Sequence, residues 1–286
     1  MNTVLVLYAY CEQQIGKHSN SLSKDNLLYF LNNGIVNDER FQFVVNISGK
    51  HTIDLELYQK KFFNLKFLNI NGLNAYSSWM NIINNTTKTY DNYIFMKDKI
   101  RGPYNLNFID ENHIITNWID YLLINSEKDS CIVMGLGTSP FGKLSKFPYI
   151  PDKFFMISNK CFNLILKQDL FTKLIYDTVE NGNSNNHIFD TLPEIILSKF
   201  FLENNINYYS LDVKKKHDYK ILDLYKNKQH KKLLSLNEKL HIKNDISICN
   251  RIFWSGQIMK DIFDKKIEKT IKKIKKKRCI KNLSYW

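Results

Sequence analysis

The feature that most constrains the fold of this chain is a series of short apolar runs, each of which ends abruptly in polar or glycine residues. The first run, Val4–Tyr10, and the fourth, Tyr93–Met96, contain no charged residue. Uninterrupted apolar runs of this kind are typical of parallel strands buried on both faces. Helical segments alternate with them, so the pattern predicts an α/β sheet with helices on both faces. Strands are predicted at Val4–Tyr10, Phe41–Asn46, Leu65–Ile70, Tyr93–Met96 and Cys131–Leu136, and helices at Asn26–Asn32, Ser77–Ile83 and Ile114–Asn125.

The second half of the chain is less regular, and its last part is rich in lysine. Strands are predicted at Phe154–Ser158 and Ile206–Leu211, and helices at Asn159–Leu166 and Leu192–Asn205. Beyond residue 260 the apolar residues recur with helical spacing, which favours one further helix. We therefore expect one domain over residues 1–260 and a basic C-terminal helical tail over residues 261–286.

The net charge of the chain belongs mainly to that tail. Lysine and arginine outnumber aspartate and glutamate by 41 to 28, a formal net charge of +13. Ten of the basic residues lie between Lys265 and Lys281. Such a segment favours a polyanionic partner: an anionic membrane, a phosphorylated substrate or nucleic acid. Nucleic acid is disfavoured, because the body lacks the interleaved aromatic and basic positions of a nucleic-acid module. We expect peripheral contact of the tail with anionic membrane.

Cysteine usage and hydropathy predict a cytoplasmic globular protein. The five cysteines are dispersed and form no CxxC pair, which argues against a disulfide framework or a zinc site and fits a reducing compartment. No apolar segment reaches the about 18 residues that a membrane span requires. The N-terminus lacks the basic region and cleavage site of a signal peptide. A hydrophobic fraction of 44% excludes a disordered chain.

The segment after the fourth predicted strand combines a carboxylate, an arginine and a turn. Met96 is followed by charged residues that include Asp98 and Arg101, and then by Gly102-Pro103. The carboxyl ends of strands in an open α/β sheet face the crevice where ligands bind. Asp98 could bind a metal ion or a sugar hydroxyl, and Arg101 could bind a phosphate with its planar guanidinium. The alternative is a solvated charged turn.

Several segments occur in the same order as in a known family. The segment YIFMKDKIRGPY, Tyr93–Tyr104, resembles the signature YIFxNxxxRGPF of GT-A-fold glycosyltransferase-like proteins of large DNA viruses, algae and plants. The ordered succession of further similar segments extends the resemblance over roughly residues 4–215. These segments are Tyr8–Glu12, Asn26–Leu31, Val45–Gly49, Asn71–Ser77, Met134–Ser139 and Glu194–Asn207, together with Trp118.

The resemblance implies a Rossmann-like, mainly parallel central sheet, with a nucleotide-sugar half at about residues 1–140 and an acceptor half at about residues 141–260. It also implies sugar transfer from a nucleotide-diphospho-sugar donor to a glycan or glycoprotein, in the cytoplasm of a cell or of a virus-infected host. In such enzymes a carboxylate after the fourth strand holds Mn²⁺ or Mg²⁺, which stabilises the departing diphosphate. Asp98 is the carboxylate in that loop, and Met96 stands where an Asp-x-Asp pair has its other acid. A structural or hydroxyl-binding Asp98 is the alternative.

The resemblance places the donor over the ends of the first two strands. It implies donor contacts for Tyr10, Glu12 and Ser48, with core packing as the alternative for Tyr10. Lys97 stands in the implied site where the family has asparagine. These four residues are therefore candidate donor-binding residues.

Three further residues have structural alternatives. Asn74 and Ser77 could face the ribose or a phosphate, or one could be a helix N-cap, a role that we favour for Ser77. Arg101 could contact the diphosphate, or it could pair with Asp98 or Glu111 and fix the loop.

The general base is expected in the segment HIFDTLPE, residues 187–194. An inverting transferase needs a carboxylate or histidine to take the proton from the acceptor hydroxyl. Glu194 is the preferred base, and Asp190, four residues earlier on the same helical face, is the second. The structural alternative makes Asp190 an N-cap and Glu194 a first-turn partner of the helix dipole. His187 is interpreted as a surface histidine.

Three functions are therefore compared. The first is a metal-assisted glycosyltransferase. The second is a binding protein of the same fold that has lost catalysis, for which Lys97 and the missing second acid argue. The third, rated lowest, is a nucleic-acid-binding protein that uses its basic tail.

Overall fold

The computed structural model describes residues 2–11, 19–103, 109–110, 113–114, 117–126, 133–135, 153–181, 188–206, 208–210 and 254–255. In chain order, its elements are β1 (Val4–Cys11), α1 (Ser19–Asn33), β2 (Phe41–Ser48), α2 (Leu55–Lys61), β3 (Leu65–Leu68), α3 (Ala75–Asn84), β4 (Asn92–Lys97), β5 (Ile100–Arg101), β6 (Ile109–Asp110), β7 (His113–Ile114), α4 (Trp118–Ser126), β8 (Val133–Gly135), β9 (Phe154–Ser158), α5 (Asn159–Lys167), α6 (Leu170–Asn181), α7 (Ile188–Glu203), β10 (Tyr208–Ser210) and β11 (Trp254–Ser255).

The central sheet contains seven strands in the order β10-β8-β9-β4-β1-β2-β3. Strands β1, β2, β3 and β4 pair in parallel, as do β8 and β10. Strand β9 is antiparallel to both of its neighbours, β4 and β8. The predicted mainly parallel α/β sheet is confirmed, with one reversed strand inside it. Two-stranded ladders join β11 to β5 and β6 to β7.

The two faces of the sheet bury two separate cores. Along β1, Leu5 and Leu7 face a cluster that includes residues of α3, α5, α6 and α7, whereas Val4 and Val6 face a cluster that includes α1 and α4. The alternation follows from the two-residue period of a strand. Because both faces are covered, β1 reads as an uninterrupted apolar run.

Two of the tryptophans have the core positions expected of that residue type. Trp79 and Trp118 are buried. The Trp79 Nε1 atom donates to the Met96 carbonyl (3.1 Å), and the Trp118 Nε1 atom donates to the Gly34 carbonyl (2.9 Å). A buried indole N–H needs such an acceptor. These side chains link α3 and α4 to the rest of the domain.

Several element boundaries differ from the predicted ones. Helix α1 begins at Ser19 instead of Asn26, through a polar segment that lacks apolar periodicity. Helix α4 begins at Trp118, because the Asn117 Oδ1 atom accepts the Asp120 N–H (2.8 Å) and so caps the helix; Ile114 lies in β7. Helix α7 begins at Ile188, four residues earlier than predicted.

Two helices were missed. Helix α2 is short and buries only Tyr58, so its sequence has little periodicity, although Asp54 accepts the Leu57 N–H as an N-cap (3.2 Å). Helix α6, Leu170–Asn181, was not assigned. The predicted boundary at Lys260 and the basic tail lie outside the described residues. No helix in the described part of the chain combines the length and apolarity needed to cross a bilayer.

Candidate functional site

Strands β1, β2 and β4 lie side by side and end at the same level, which we call the carboxyl end of the sheet. In the register of the sheet, Ala9 lies opposite Lys97, and Cys11 lies opposite Ser48. The turn that contains Asp98 therefore lies beside the end of β1, and the end of β1 lies beside the end of β2. Parallel α/β sheets bind their ligands at this end.

Asp98 is buried and joins three parts of the chain at the carboxyl end. Its Oδ2 atom accepts the Cys11 N–H (3.1 Å), and its own N–H donates to the Ala9 carbonyl (3.1 Å). The Asn26 Nδ2 atom of α1 donates to the Asp98 carbonyl (2.9 Å), and the Ser23 side chain hydrogen-bonds the carboxylate. Asp98 thus connects β4, β1 and α1.

The protonation of Asp98 reflects this enclosed position. Burial raises the pKa of the Asp98 carboxyl above its ordinary value, because the charged form loses water. The hydrogen bond from Cys11 and the positive charge of Lys99 act in the opposite direction. A carboxylate whose charged form is disfavoured at the end of a central strand is a recognised mark of functional sites.

Arg101 also contacts α1. Its guanidinium lies over the Tyr29 ring, 4.2 Å from the centroid, and Nη1 is 3.5 Å from the Asp25 carbonyl. These contacts favour the loop-fixing role for Arg101, with α1 as one partner. Glu111 lies outside the described residues. Through β5, Arg101 also lies opposite Trp254 of β11, so a distant segment of the chain returns to this turn.

Ser48 and Asn46 use their side chains to continue the ladder between β2 and β3. The Asn46 amide donates to the Ile70 carbonyl (3.0 Å) and accepts the Ile70 N–H (3.3 Å). Ser48 Oγ donates to the Gly72 carbonyl (2.9 Å) and accepts the Gly72 N–H (2.6 Å). Both side chains thus replace backbone partners beyond the end of β3. The Ser48 hydroxyl, for which contact with the nucleotide-sugar donor is predicted, thus fixes the loop before α3.

Gly72 packs closely against the first turn of α3. A Cβ atom at this position would lie 2.8 Å from Ser78 Oγ and 2.9 Å from Ser77 Oγ. Real Cβ atoms do not approach other atoms so closely, and two hydroxyls of α3 occupy the space. The next residue, Leu73, is 75% exposed at the carboxyl end of the sheet.

Asn74 is the N-cap of α3. Its Oδ1 atom accepts the Ser77 N–H (3.0 Å), and the Ser77 Oγ atom accepts the Asn74 N–H (2.9 Å). This reciprocal capping box satisfies two backbone donors. The favoured N-cap role of Ser77 is therefore wrong, because Asn74 is the cap and Ser77 is its partner three residues later. The Asn74 Nδ2 atom also lies 3.5 Å from the Ile175 carbonyl of α6.

Tyr10 is buried in the core on the α1 face, as its structural alternative predicts. Tyr8 lies on the same face, and its ring stacks on Phe30 with the centroids 4.8 Å apart. Burial raises the pKa of the Tyr8 hydroxyl above its ordinary value, and the negative charge of Asp98 raises it further by a smaller amount. Glu12 lies outside the described residues.

Lys97 lies on the α3 face, opposite to the face that Asp98 contacts. Its Nζ atom is 4.9 Å from the Tyr76 ring centroid and 5.7 Å from that of Trp79. The Cys11 Sγ and Ser78 Oγ atoms, 3.5 Å apart, lie on this face too. Burial raises the pKa of the Cys11 thiol to about 11, and the charge of Lys97 partly opposes that shift.

Glu194 lies in α7 and is buried. Helix α7 ends beside α5, since the Gln168 Nε2 atom donates to Asn204 Oδ1 (3.0 Å). The chain then enters β10, which runs parallel to β8, so α7 runs back from the carboxyl end towards the amino end of the sheet. Glu194 is in the half of α7 nearer the carboxyl end.

Helix α7 starts before Asp190, so the predicted N-cap role of Asp190 and first-turn role of Glu194 are wrong. The side chain of Asp190 and all of His187 lie outside the described residues. Among the residues that the structure describes, no three His, Cys, Asp or Glu side chains lie close enough to hold a metal ion together.

The sequence matches no known family profile, and a comparison with curated proteins finds no relative. Among solved structures, the chain is similar to the glycosyltransferase GlyE of Streptococcus pneumoniae TIGR4, with a TM-score of 0.47 and 12% identity over 93% of this chain; it spans 60% of the length of GlyE. It is similar to a Desulfovibrio desulfuricans G20 protein classed provisionally as a nucleotide-diphospho-sugar transferase, with a TM-score of 0.39, 9% identity and coverage of 73% and 80% of the two chains. It is also similar to S. aureus TarS 1–349 in complex with UDP, with a TM-score of 0.37, 11% identity and coverage of 61% and 55%.

Sequence reasoning missed three residues that shape the site: Ser23 and Asn26, which hold Asp98, and Asn46, which holds the loop before α3. Asn26 opens the segment NLLYFL and Asn46 lies in VNISG, both of which carry the family resemblance. The resemblance of those segments to the family was the sequence signal for Asn26 and Asn46. The sequence does not show which partner across the sheet such a polar side chain will reach.

Proposed function

We propose that this chain is a glycosyltransferase that moves a sugar from a nucleotide-diphospho-sugar donor to a glycan or glycoprotein acceptor. One observation carries the proposal. The segments that resemble the glycosyltransferase-like family are far apart in sequence, yet Tyr8–Cys11, Val45–Gly49, Asn71–Ser77 and the turn at Asp98 meet at the carboxyl end of one sheet. This is the end where open α/β sheets bind nucleotides.

In this proposal, the donor nucleotide lies over the ends of β1 and β2. Glu12, directly after β1, contacts the nucleoside. Ser48 and Asn74 act by fixing the loop before α3, and Arg101 acts by fixing α1 against the turn. The hydrogen bonds of Ser48 and Asn74 and the ring contact of Arg101 support positioning roles for these residues.

Asp98 is the proposed ligand of a divalent cation. A carboxylate oxygen is the hard donor that Mg²⁺ and Mn²⁺ prefer, and these ions keep several waters and bind the phosphates of the substrate, so one protein carboxylate fits. When bound, the cation supplies positive charge against the departing nucleoside diphosphate. The chain's part is to orient the carboxylate, which the Cys11 N–H and the Ser23 side chain do.

Glu194 is the proposed general base, with Asp190 of the same helix as the second choice. A base must accept the proton of the acceptor hydroxyl as that oxygen attacks the anomeric carbon. Both residues lie in the half of α7 that is nearer the carboxyl end, and the burial of Glu194 separates its carboxylate from bulk water.

Thermal unfolding of the full chain with UDP, GDP, dTDP and their sugars, in Mn²⁺ and in EDTA, tests donor binding. A ligand at 100 times its Kd adds about 2.7 kcal/mol to the free energy of unfolding. Release of nucleoside diphosphate from the stabilising donor, absent in Glu194→Gln, then tests catalysis. Binding without release would favour the non-catalytic binding protein, and stabilisation by none of the nucleotides would contradict the proposal.

We also propose that the basic tail, residues 261–286, contacts anionic membrane, where lysines near the surface contribute about 1 kcal/mol each. Truncation after Lys260 should abolish sedimentation with anionic liposomes at low salt and leave donor binding unchanged. Full-length protein that ignores such liposomes would contradict the membrane contact.

A further inference from the structure

We propose that Asn26 of α1 is a positioning residue for Asp98: its side chain holds the backbone of Asp98, so that the carboxylate faces the divalent cation in a fixed direction. The inference rests on the proposed function and deepens it, because it assigns part of the cation affinity to a residue that acts only through Asp98. Helix α1 then belongs to the cation site.

The backbone of Asp98 is held on both sides of its Cα atom. On one side, the Asp98 N–H donates to the Ala9 carbonyl of β1 (3.1 Å). On the other side, the Asp98 carbonyl accepts a hydrogen bond from the Asn26 Nδ2 atom (2.9 Å). Because a residue has only two soft backbone dihedrals, holding both of its peptide groups also sets the direction in which its side chain leaves the backbone. Asn26 supplies one of these two anchors.

Helix α1 contacts the turn after β4 along one of its sides. Ser23, Asn26 and Tyr29 recur every third residue, so their side chains are neighbours on the helix surface. Ser23 hydrogen-bonds the Asp98 carboxylate. The Tyr29 ring lies against the Arg101 guanidinium, with 4.2 Å to the ring centroid. Asn26, between them, is fully buried, whereas Ser23 and Tyr29 are half-buried. Its hydrogen bond to Asp98 is therefore enclosed, and a hydrogen bond in a low-dielectric interior is stronger than one in water.

A second asparagine, Asn64, has the same chemistry at the amino end of the sheet. It is also buried, and its Nδ2 atom donates to the carbonyls of Val36, Asp38 and Phe41 (2.8, 3.0 and 2.9 Å). In both asparagines the buried Oδ1 atom has no hydrogen-bond partner within the described part of the chain. The two side chains thus share burial and donor chemistry. They differ in what they hold, which for Asn26 is the backbone of the proposed metal ligand.

Loss of the Asn26 amide should weaken the response to the cation and leave nucleotide binding itself unchanged. Residues that orient a metal ligand typically contribute about 10- to 100-fold to metal affinity. When Asn26 is replaced, Asp98 keeps its bonds to Ala9, Cys11 and Ser23, so we expect the lower end of that range. In the proposed function the nucleotide lies over the ends of β1 and β2, so its affinity without a metal ion should not depend on Asn26.

Calorimetric titration of the full chain tests the inference, with UDP, GDP and dTDP as probes, each in Mn²⁺ and in EDTA. The measured quantity is the gain in affinity for the preferred nucleoside diphosphate on adding Mn²⁺. Asn26→Ala should lower this gain about tenfold and leave the affinity in EDTA unchanged. Asn64→Ala is the matched control. It loses three hydrogen bonds at the opposite end of the sheet, so it should lower the thermal unfolding temperature at least as much and keep the full gain.

Asn26→Ser is a second variant for the case that the alanine variant does not fold. The serine hydroxyl can donate to a carbonyl of its own helix, and it leaves a smaller cavity than alanine does. Its side chain is one atom shorter than the amide that donates to Asp98, so the same loss of the gain on adding Mn²⁺ is expected.

Two outcomes would overturn the inference alone. An unchanged gain in the Asn26 variants, even with an equal fall of affinity in Mn²⁺ and in EDTA, would show a merely structural residue. An equal loss of the gain in Asn64→Ala would show that the effect is not specific to Asp98. If the wild-type chain binds a nucleotide equally well in Mn²⁺ and in EDTA, the metal role of Asp98 fails and the inference with it. If the wild-type chain binds no nucleotide in either condition, the proposed function itself fails.

Discussion

The two ends of the parallel strands differ in how folding shifts the pKa values of their carboxyl groups. At the amino end, Arg40 pairs with Asp38 (2.6 Å) and with Asp120 of α4 (2.9 Å), and the Asp91 Oδ2 atom accepts the N–H and the hydroxyl of Thr3 (2.7 and 2.8 Å). Hydrogen bonds from Arg40 lower the pKa of Asp38, and those from Thr3 lower the pKa of Asp91. Folding therefore stabilises the charged form of both carboxylates.

At the carboxyl end, folding shifts the carboxyl pKa in the opposite direction. Burial raises the pKa of Asp98, and the ammonium of Lys97 lies against aromatic rings. Folding thus disfavours the charge of Asp98 there. Carboxylates with perturbed pKa values are concentrated at functional sites. We therefore expect substitutions at the amino end to change stability and substitutions at the carboxyl end to change donor binding and turnover.

The largest expected effect is on turnover. Glu194→Gln should lower kcat by about 10²- to 10⁴-fold, which is the usual contribution of a general base, with donor affinity little altered. Single-turnover assays with the preferred donor measure it, and the amino-end variant Arg40→Met serves as the control with normal turnover. An active Glu194→Gln together with an inactive Asp190→Asn would move the base four residues upstream.

The second effect concerns the metal. Asp98→Asn keeps the shape of the side chain and an acceptor for the Cys11 N–H but removes the charge, so the fold should persist. The gain in donor affinity on adding Mn²⁺ should disappear, because Asp98 is the proposed protein ligand of the cation, while affinity in EDTA should be retained. Titrations with and without Mn²⁺ measure both quantities, and an unchanged response to Mn²⁺ would contradict the metal role of Asp98.

The central strands were the most predictable part of the fold, because β1 and β4 are buried on both faces and their composition alone distinguishes them. The reversal of β9 was not predictable: its residues, Phe154–Ser158, are as apolar as those of a parallel strand. The position of Asp98 at a strand end was also readable from sequence. Its partners Ser23 and Asn26 were not, since a polar residue in a helix gives no sign of which loop it will reach.

The third effect is on the loop before α3. Ser48→Ala removes both hydrogen bonds to Gly72 and should lower the free energy of unfolding by about 1 kcal/mol, the usual net contribution of an intramolecular hydrogen bond. Because the loop lies at the carboxyl end, donor affinity should fall as well. Arg40→Met, with a comparable loss of about 1 kcal/mol from partly exposed pairs, should leave donor affinity unchanged. Urea unfolding measures stability, and titration with the donor measures affinity. An equal loss of donor affinity in both variants would show that the two ends do not differ in function.

The smallest effect is the pH dependence of the amino end. The folded-state pKa of Asp91 is below its ordinary value of 3.8, so its contribution to stability is complete well above pH 3.8 and is lost as the pH falls through the folded-state pKa. Asp91 is exposed, and solvent screening limits the contribution to about 0.5 kcal/mol or less. Asp91→Asn should therefore be slightly less stable than the wild type at pH 7, and the difference should shrink below pH 3.8. In a Thr3→Ala background, which removes one of the two donors, the difference at pH 7 should be smaller still. Urea unfolding of the wild type, the two single variants and the double variant at pH 7 and at pH 3 measures these differences in stability. A difference that grows on acidification would show that the charge of Asp91 destabilises the fold, as burial does for the charge of Asp98.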